Sequence, residues 1–284
     1  MKALDFIQVD VFTTRKLEGN ALAVFPRGAG LTTARMQAIA REMNLSETTF
    51  LLPGPAGTDA RMRIFTVAEE LPFAGHPTLG TAFVLAQSRR KSLIRLETKV
   101  GVIPVSVSRR AGSACLEMPQ NDPVFGGRID GRAVARAAGI SAADLDARYP
   151  AQVVSTGLPF LIVPLGGPAA LARLAPDFQR LRALLRRSGA RFPYYLVTGA
   201  ERIEARMFDR TFEDPGTGSA AGCAAAYLVR HGRCRPSAHI IIEQGKMVKR
   251  PCRIFASASL DGRRVCDVRV GGYVVETLRG RLRL

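Results

Sequence analysis

The sequence predicts an α+β protein with two similar halves, and three observations support this prediction. Segments with apolar residues at every second position, typical of half-buried strands, outnumber the segments with helical period, and the helices lie among them. A strand-turn-helix motif occurs twice in the 284 residues, 143 positions apart. The chain is 47% hydrophobic and 23% charged, which is too apolar for a disordered protein.

The alternating pattern predicts eight strands, and the helical period predicts five helices. The strand segments are residues 6–12, 21–25, 61–65, 101–107, 152–163, 204–208, 239–242 and 265–270. The helical segments are residues 33–43, 78–87, 131–138, 177–187 and 219–231. Residues 119–130 are rich in Pro, Gly and Asp and indicate a domain junction. We expect a first domain over residues 1–120, completed by a strand near residues 272–284, and a second over residues 121–271, with the active site in the cleft between them.

The repeated motif reads Arg-x-Phe-x4-Glu-x-Pro-x2-Gly, at residues 63–75 and again at residues 206–218. Five identities at a fixed offset indicate a duplicated unit. Each copy leads into a helix N-terminus, whose unpaired N–H groups and dipole favour an anion. One such turn would be ordinary connecting geometry. Two in symmetric positions predict a site that binds a carboxylate and stabilises developing negative charge.

The residue after the last glycine of each motif is a candidate proton carrier. His76 follows Gly75, and Ser219 follows Gly218. An imidazole transfers protons near neutral pH without any shift of its pKa, although a structural role for His76 stays open. Asp214 lies five residues before Ser219 and could orient His76, share a proton, or cap the turn or helix.

A further candidate is the carboxyl group of Glu47. The pair Ser46-Glu47 follows the predicted helix at residues 33–43 and precedes an apolar strand, with Leu45 and Phe50 on either side. A carboxyl group beside an apolar wall has its pKa raised by desolvation, which makes it a usable base. From this segment alone, a surface glutamate is the simpler interpretation.

Charge and cysteine content favour neither a nucleic-acid site nor a metal site. The net charge is +17, mostly from arginines spread in ones and twos, and no basic block interleaved with aromatic residues indicates nucleic-acid binding. The five cysteines form no Cys-x-x-Cys pair and the chain has three histidines, so we expect reduced thiols and no metal site. Asp5 and Asp10 interrupt any signal peptide and no apolar run approaches the length of a bilayer span, so a soluble, cytoplasmic protein is expected.

Six segments in one order resemble the phenazine-biosynthesis PhzF family of isomerases, whose fold is like that of diaminopimelate epimerase. They are residues 10–13 (DVFT), 19–24 (GNALAV), 44–47 (NLSE), 71–80 (LPFAGHPTLG), 155–160 (STGLPF) and 214–220 (DPGTGSA). The resemblance spans nearly the whole chain. It implies two domains, each a curved, mostly antiparallel sheet around a central helix, and it implies a homodimer.

The resemblance also implies a reaction and the residues that carry it. The family's characterised substrate is trans-2,3-dihydro-3-hydroxyanthranilate, from which a glutamate removes a proton at one ring carbon and helps return it at another, without a cofactor or metal. The implied catalytic residues are Glu47 as general acid/base with His76, Asp214 and Ser219. The implied substrate-lining residues are Ser46, Gly75 and Gly218.

Two other function classes stay open at this point. An amino-acid epimerase or racemase of the same fold would use a thiol at each of the two symmetric positions, and these positions hold His76 and Ser219. A serine hydroxyl is a poor base without a partner, which weakens this alternative. A non-catalytic protein that binds a small anion or RNA through its arginines would have no need for all four catalytic residues. Steeply salt-dependent RNA binding would favour it.

Overall fold

The secondary structure of the computed structural model is that of an α+β protein with a mixed, mostly antiparallel arrangement of strands. The structure describes residues 3–110, 112–198, 202–209 and 212–284. The chain divides into two units, which we describe separately. The first unit comprises Met1–Pro119 with Gly271–Leu284, and the second comprises Gln120–Val270. Residues 1, 2 and 111 of the first predicted domain and residues 199–201, 210 and 211 of the second lie outside the described residues.

Among its described residues, the first unit contains eight strands and two helices before its C-terminal segment. In chain order they are β1 (Ala3–Val11), β2 (Asn20–Phe25), α1 (Thr33–Met43), β3 (Glu47–Leu52), β4 (Ala60–Phe65), β5 (Glu70–Leu71), α2 (Gly75–Arg89), β6 (Leu93–Thr98), β7 (Gly101–Arg110) and β8 (Ser113–Pro119). The C-terminal part of the last strand, β17 (Arg264–Arg283), pairs antiparallel with β1. Strands β2 and β3 are parallel, as are β4 and β6, and the other registered pairs are antiparallel.

Helix α2 is the central helix of the first unit. Every residue from Gly75 to Ala86 is buried, and the helix contacts β1, β2, β3, β6, β7 and β8. A Cβ atom on Gly80 would lie 2.6 Å from a methyl carbon of Leu22, so this glycine allows the helix to lie close against the sheet. Helix α1 covers a separate apolar cluster that includes Phe25, Phe50 and Phe65.

The second unit repeats the strand pattern of the first and adds helices. In chain order it contains β9 (Val124–Ile129), α3 (Gly131–Ala138), a 3-10 helix (Ala142–Asp144), β10 (Ala151–Ser155), β11 (Pro159–Pro164), α4 (Pro168–Arg173), α5 (Phe178–Ser188), β12 (Phe192–Thr198), β13 (Arg202–Asp209), β14 (Phe212–Asp214), α6 (Gly218–Arg230), β15 (Ile240–Gln244), β16 (Cys252–Asp261) and the start of β17. Its central helix is α6, which is buried from Gly218 to Val229 and contacts β10, β11 and β16.

The order of strand directions shows that the two units are pseudo-symmetric. From β1 to β4 the successive pairs are antiparallel, parallel and antiparallel, and β6 then adds to β4 in parallel. From β10 to β13 the same succession occurs, and β15 adds to β13 in parallel. The predicted α+β class with two similar halves is therefore confirmed.

The structure corrects one of the predicted strands. Residues 152–163, predicted as one strand, form β10 and β11, because Gly157 adopts a left-handed backbone (φ 130°) and reverses the chain. Residues 119–130, predicted as a domain junction, include the division between the two units, after Pro119, and their later part forms the strand β9, which pairs with β10. Among the described residues, no helix is long and apolar enough to span a bilayer.

Candidate active site

The sequence repeat forms the same ion-paired hairpin in each unit. In the first unit, the Arg63 guanidinium donates to both carboxylate oxygens of Glu70, each at 2.8 Å, across the β4–β5 hairpin. In the second unit, Arg206 donates from Nε (3.1 Å) and from a terminal nitrogen (2.7 Å) to Glu213 across the β13–β14 hairpin. The repeated Arg and Glu therefore position the turn that follows each hairpin.

Each hairpin leads to a central helix that begins at the repeated glycine, Gly75 or Gly218. The preceding residues, Ala74 and Thr217, make no side-chain cap hydrogen bond to the helix. By contrast, α1, α3 and α5 are capped by the side chains of Thr32, Asp130 and Asp177. Within the described chain, the two central helices thus begin without the side-chain caps that these other helices use, and their first N–H groups have no side-chain acceptor at the cap position.

The structure brings Glu47 and His76 together in the first unit. Glu47 is the first residue of β3 and His76 the second residue of α2, and the Glu47 Oε2 and His76 Nε2 atoms lie 3.4 Å apart. The side chains are 16% and 5% exposed, respectively. Among the described residues Nε2 of His76 has no hydrogen-bond partner, so the hydrogen bond of this ring with the Ala21 backbone involves Nδ1.

Burial determines the ionisation of His76. Desolvation lowers the pKa of His76 to about 3, while the hydrogen bond with the Ala21 backbone acts in the opposite direction. A hydrogen bond from Nδ1–H to a main-chain carbonyl oxygen is a contact that favours the charged ring. In the neutral ring the proton then stays on Nδ1, and the lone pair is on Nε2, which faces Glu47. A proton on the Glu47 carboxyl group could then be donated to Nε2, so protonation of the two groups is coupled.

The sequence predicted an apolar wall of Leu45 and Phe50 beside Glu47, and this choice of residues is wrong. Side chains alternate along a strand, so Phe50, three positions later on β3, faces the side opposite to Glu47. Phe50 and Leu45 pack in the cluster beneath α1. The Glu47 side of the strand faces α2, where the Thr49 and Thr81 hydroxyl groups lie 2.8 Å apart. Ser46 is half-buried and lies immediately before β3.

The second unit contains a different polar group at the same place in its scaffold. The Thr217 hydroxyl donates to Oδ2 of Asp214, and Gln244 on β15 binds the Asp214 main-chain oxygen (2.8 Å) and the Thr217 hydroxyl (2.9 Å). Tyr194 donates to Gln244 at 3.1 Å. Asp214 and Ser219 are both buried. Asp214 therefore forms part of an ordered hydrogen-bond network at the start of α6.

The strand registers identify which residue of the second unit matches Glu47. In the first unit, the repeated Arg63 pairs with Phe50, and Glu47 lies three residues before Phe50. In the second unit, Arg206 pairs with Tyr195, and Phe192 lies three residues before Tyr195. Ser219 matches His76, because each follows the glycine at which the central helix begins. The second unit thus has Phe192 and Ser219 in place of the carboxyl–imidazole pair, and an arrangement with matched bases in the two halves is absent from these positions.

Sequence reasoning missed three members of the second network, namely Tyr194, Thr217 and Gln244. Thr217 stands between two glycines of a motif already singled out, and its hydroxyl was the available signal. Gln244 and Tyr194 lie on other strands and have no spacing signal. The described residues include no cluster of three or more His, Cys, Asp or Glu side chains that could hold a metal ion. A cavity of about 900 Å³ in the first unit, lined by Arg90 among others, lies at the opposite end of α2 from His76.

Comparison with known proteins places this geometry in a family. The model of the phenazine biosynthesis-like proteins (PhzC-PhzF) matches residues 9–280. The chain belongs to this family. The trans-2,3-dihydro-3-hydroxyanthranilate isomerase of Pseudomonas aeruginosa is 38% identical over 97% of this chain and 98% of its own length.

Two solved structures agree with the family assignment. A predicted epimerase from Pseudomonas aeruginosa superposes with a TM-score of 0.89, at 38% identity and with 99% of each chain covered. A PhzF-family phenazine biosynthesis protein from Bacillus anthracis has a TM-score of 0.90 at 27% identity and covers all of both chains. The resemblance read from six sequence segments is confirmed, and this PhzF-family chain is an isomerase of the PhzF type.

Proposed function

We propose that this PhzF-family protein isomerises a small cyclic carboxylate, trans-2,3-dihydro-3-hydroxyanthranilate or a close analogue, by moving a proton between two of its carbons. The contact between Glu47 and His76, buried at the start of α2, carries the proposal. This contact supplies a carboxyl group and an imidazole whose protonation is coupled, and general acid/base catalysis uses such groups. The name of the Pseudomonas aeruginosa relative supports the choice of substrate.

In the proposed reaction, Glu47 carries the proton. Its carboxylate takes a proton from one substrate carbon, the electron pair moves through the conjugated system, and the carboxyl group returns the proton to another carbon. Between these steps the protonated Glu47 can donate to Nε2 of the neutral His76, 3.4 Å away, which stabilises the intermediate stage. No electrons are gained or lost, so the proposed chemistry needs no redox cofactor, and we propose that it proceeds without a cofactor or metal.

The remaining predicted residues are proposed to bind the substrate and its developing charge. The N-termini of α2 and α6 lack side-chain caps, and their N–H groups suit a carboxylate or an enolate oxygen. Gly75 and Gly218 allow close approach of the backbone there. Ser46, Ser219 and Asp214 are proposed to supply polar contacts. We also propose that the protein is cytoplasmic and, from the family resemblance, that it forms a homodimer. Light scattering on the purified protein would test the dimer.

The experiment that tests the proposed function is isomerisation and proton exchange in D₂O. The purified protein is incubated with trans-2,3-dihydro-3-hydroxyanthranilate and a panel of small cyclic acids and amino acids, and products and deuterium uptake are followed by NMR and mass spectrometry. We expect turnover of one compound. Glu47→Gln should reduce it by about 10²–10⁴-fold or more while ligand affinity changes by less than about tenfold, since the shape is kept and the base is removed.

The matched control is Glu42→Gln, which removes an exposed carboxyl group from α1. This variant should have wild-type turnover. Full activity of Glu47→Gln would show that the assignment of the base is wrong. Absence of both conversion and exchange across the panel would show that the proposed substrate class is wrong.

A further inference from the structure

Gln244 is almost completely buried, at 1% exposure, and its amide group uses its full hydrogen-bonding capacity. Its Nε2 donates to the Asp214 main-chain oxygen and to the Thr217 hydroxyl. Its Oε1 accepts from the Thr217 main-chain N–H (3.2 Å) and from the Tyr194 hydroxyl (3.1 Å). An amide has two donors and two acceptor lone pairs, and all four have partners here.

These partners permit one orientation of the amide group. A main-chain carbonyl only accepts and a main-chain N–H only donates, so rotating the Gln244 amide by 180° would bring two donors together at Thr217 and two acceptors together at Asp214. Because Nε2 donates to the Thr217 hydroxyl, the hydroxyl proton is directed to Oδ2 of Asp214. The orientation of Gln244 therefore determines the direction of the next hydrogen bond.

The first unit shows that the strand-turn-helix scaffold does not require this network. At the offset of the repeat, Leu71 and Ala74 occupy the positions of Asp214 and Thr217. On β15, Gln244 pairs with Ala205, the residue before the repeated Arg206. The register of β6 with β4, extended by one residue, places Thr98 at the corresponding position, opposite the residue before Arg63. Thr98 bonds to Gly101 within its own turn. The same hairpin and the same helix start therefore form without any of these polar groups, so formation of the turn does not explain their presence.

We propose that Gln244 is a positioning residue for the isomerase reaction: it holds the Thr217 hydroxyl as a donor to Asp214 and so keeps the Asp214 carboxylate in one orientation at the start of α6. This inference rests on the proposed function, in which Asp214 contacts the substrate. Gln244 itself acts through Thr217 and Asp214. A carboxylate that rotates would spend part of its time out of the productive geometry, which lowers the rate of the chemical step more than it weakens binding.

The decisive variant is Gln244→Glu, which keeps the shape and the acceptor for Thr217 N–H but removes both donors. The Thr217 hydroxyl can then donate to the new carboxyl group instead of to Asp214. We expect kcat for trans-2,3-dihydro-3-hydroxyanthranilate to fall roughly 10- to 100-fold, with KM changed less than about threefold. In a Thr217→Val background the same substitution should have little further effect, because the two residues act in one chain of hydrogen bonds.

The matched control is Gln152→Glu, a glutamine of the same unit whose amide is also hydrogen-bonded, to Gly126 and His231. It should keep wild-type kcat. A Gln244→Glu protein with wild-type kcat and a lowered melting temperature would show a merely structural role and would overturn the inference, as would full additivity with Thr217→Val.

A readout independent of turnover separates this inference from the proposed function. Amide hydrogen exchange is measured on peptides covering residues 214–219, with residues 71–76 of the first unit as the internal reference. Gln244→Glu should accelerate exchange in the former and leave the latter unchanged. Absence of turnover by wild type would refute the proposed substrate class and would leave the exchange measurement valid. Unchanged exchange in residues 214–219 of Gln244→Glu would refute the positioning role, whatever the substrate.

Discussion

The two units of this protein share a scaffold and differ in the chemistry built on it. Each has a hairpin held by an arginine–glutamate pair, and each has a buried central helix that begins at a repeated glycine without a side-chain cap. The first unit adds Glu47 and His76 beside the helix start, and the second adds Asp214 with its network. Residues that build the turn are therefore separate from residues that surround it, and the latter can diverge.

The ion pair explains how this separation is possible. The repeated Arg and Glu lie seven residues apart and hold the hairpin together by hydrogen bonds across its two strands. The residues around the helix start are not needed for this contact, so they can differ between the units. The position of Asp214 holds Leu71 in the first unit, and the position of Glu47 holds Phe192 in the second. At these two positions one unit is thus polar where the other is apolar.

The largest expected effect tests this asymmetry at the paired positions His76 and Ser219. His76→Ala should reduce kcat for the proposed substrate by about 10²–10⁴-fold, since it removes a group coupled to the base. Ser219→Ala should reduce kcat much less, by about tenfold, because an isolated hydroxyl is a poor proton carrier near neutral pH. Steady-state kinetics of the two variants under identical conditions provide the comparison.

Equal losses in the two variants would break the comparison, because they would place proton transfer in both units. Imidazole added to the His76→Ala protein provides a control: recovery of part of the rate would show that the loss is chemical. Far-ultraviolet circular dichroism should be the same for wild type and both variants.

The sequence predicted the repeated part of this design better than the asymmetric part. Fixed spacing locates both helix starts, and the period of apolar residues predicts α1 and α3 at their observed bounds. The contact of Glu47 with His76 joins residues 29 positions apart and depends on how β3 pairs with its neighbours. The place of Gln244 likewise depends on the parallel pairing of β15 with β13. Local patterns do not encode such pairings, so these contacts required the structure.

The next expected effect concerns the two ion pairs, which are equivalent in sequence but differ in burial. The Arg206 and Glu213 side chains are 10% and 6% exposed, and Arg206 also donates to the main-chain oxygen of Leu171. Arg206→Met leaves a buried carboxylate without its partner and should lower the free energy of unfolding by about 3–5 kcal/mol. Urea unfolding followed by circular dichroism measures this change.

The corresponding variant of the first unit should lose less stability. Arg63 and Glu70 are 21% and 13% exposed, and Lys99 lies 2.9 Å from Glu70 and remains after Arg63→Met. Because Glu70 is partly exposed and keeps a second cation, Arg63→Met should lower the free energy of unfolding by about 1 kcal/mol. If the two variants lost equal stability, burial would not distinguish the two hairpins.

The smallest expected effect is the pH dependence that the buried His76 of the first unit contributes. The pKa of His76 is about 3 in the folded protein because of its burial, against about 6.5 for an exposed histidine. Between these values the unfolded chain binds a proton that the folded chain does not, so stability is fully present above about pH 6.5 and falls as the pH is lowered. The contribution of one such group is at most about 1.4 kcal/mol for each pH unit.

The test is the free energy of unfolding of wild type and His76→Gln at pH 7.5, 6.0 and 5.0. Wild type should lose stability toward pH 5.0 more steeply than His76→Gln, because glutamine binds no proton in either state. The matched control is His239→Gln, which removes an exposed histidine from the second unit. If His76→Gln keeps the wild-type slope, the pKa of His76 does not differ between the folded and the unfolded protein, and burial does not keep the ring neutral. If wild type instead gained stability relative to His76→Gln toward pH 5.0, the folded protein would hold an imidazolium paired with the Glu47 carboxylate, and the neutral ring that accepts a proton from Glu47 in the proposed reaction would be wrong.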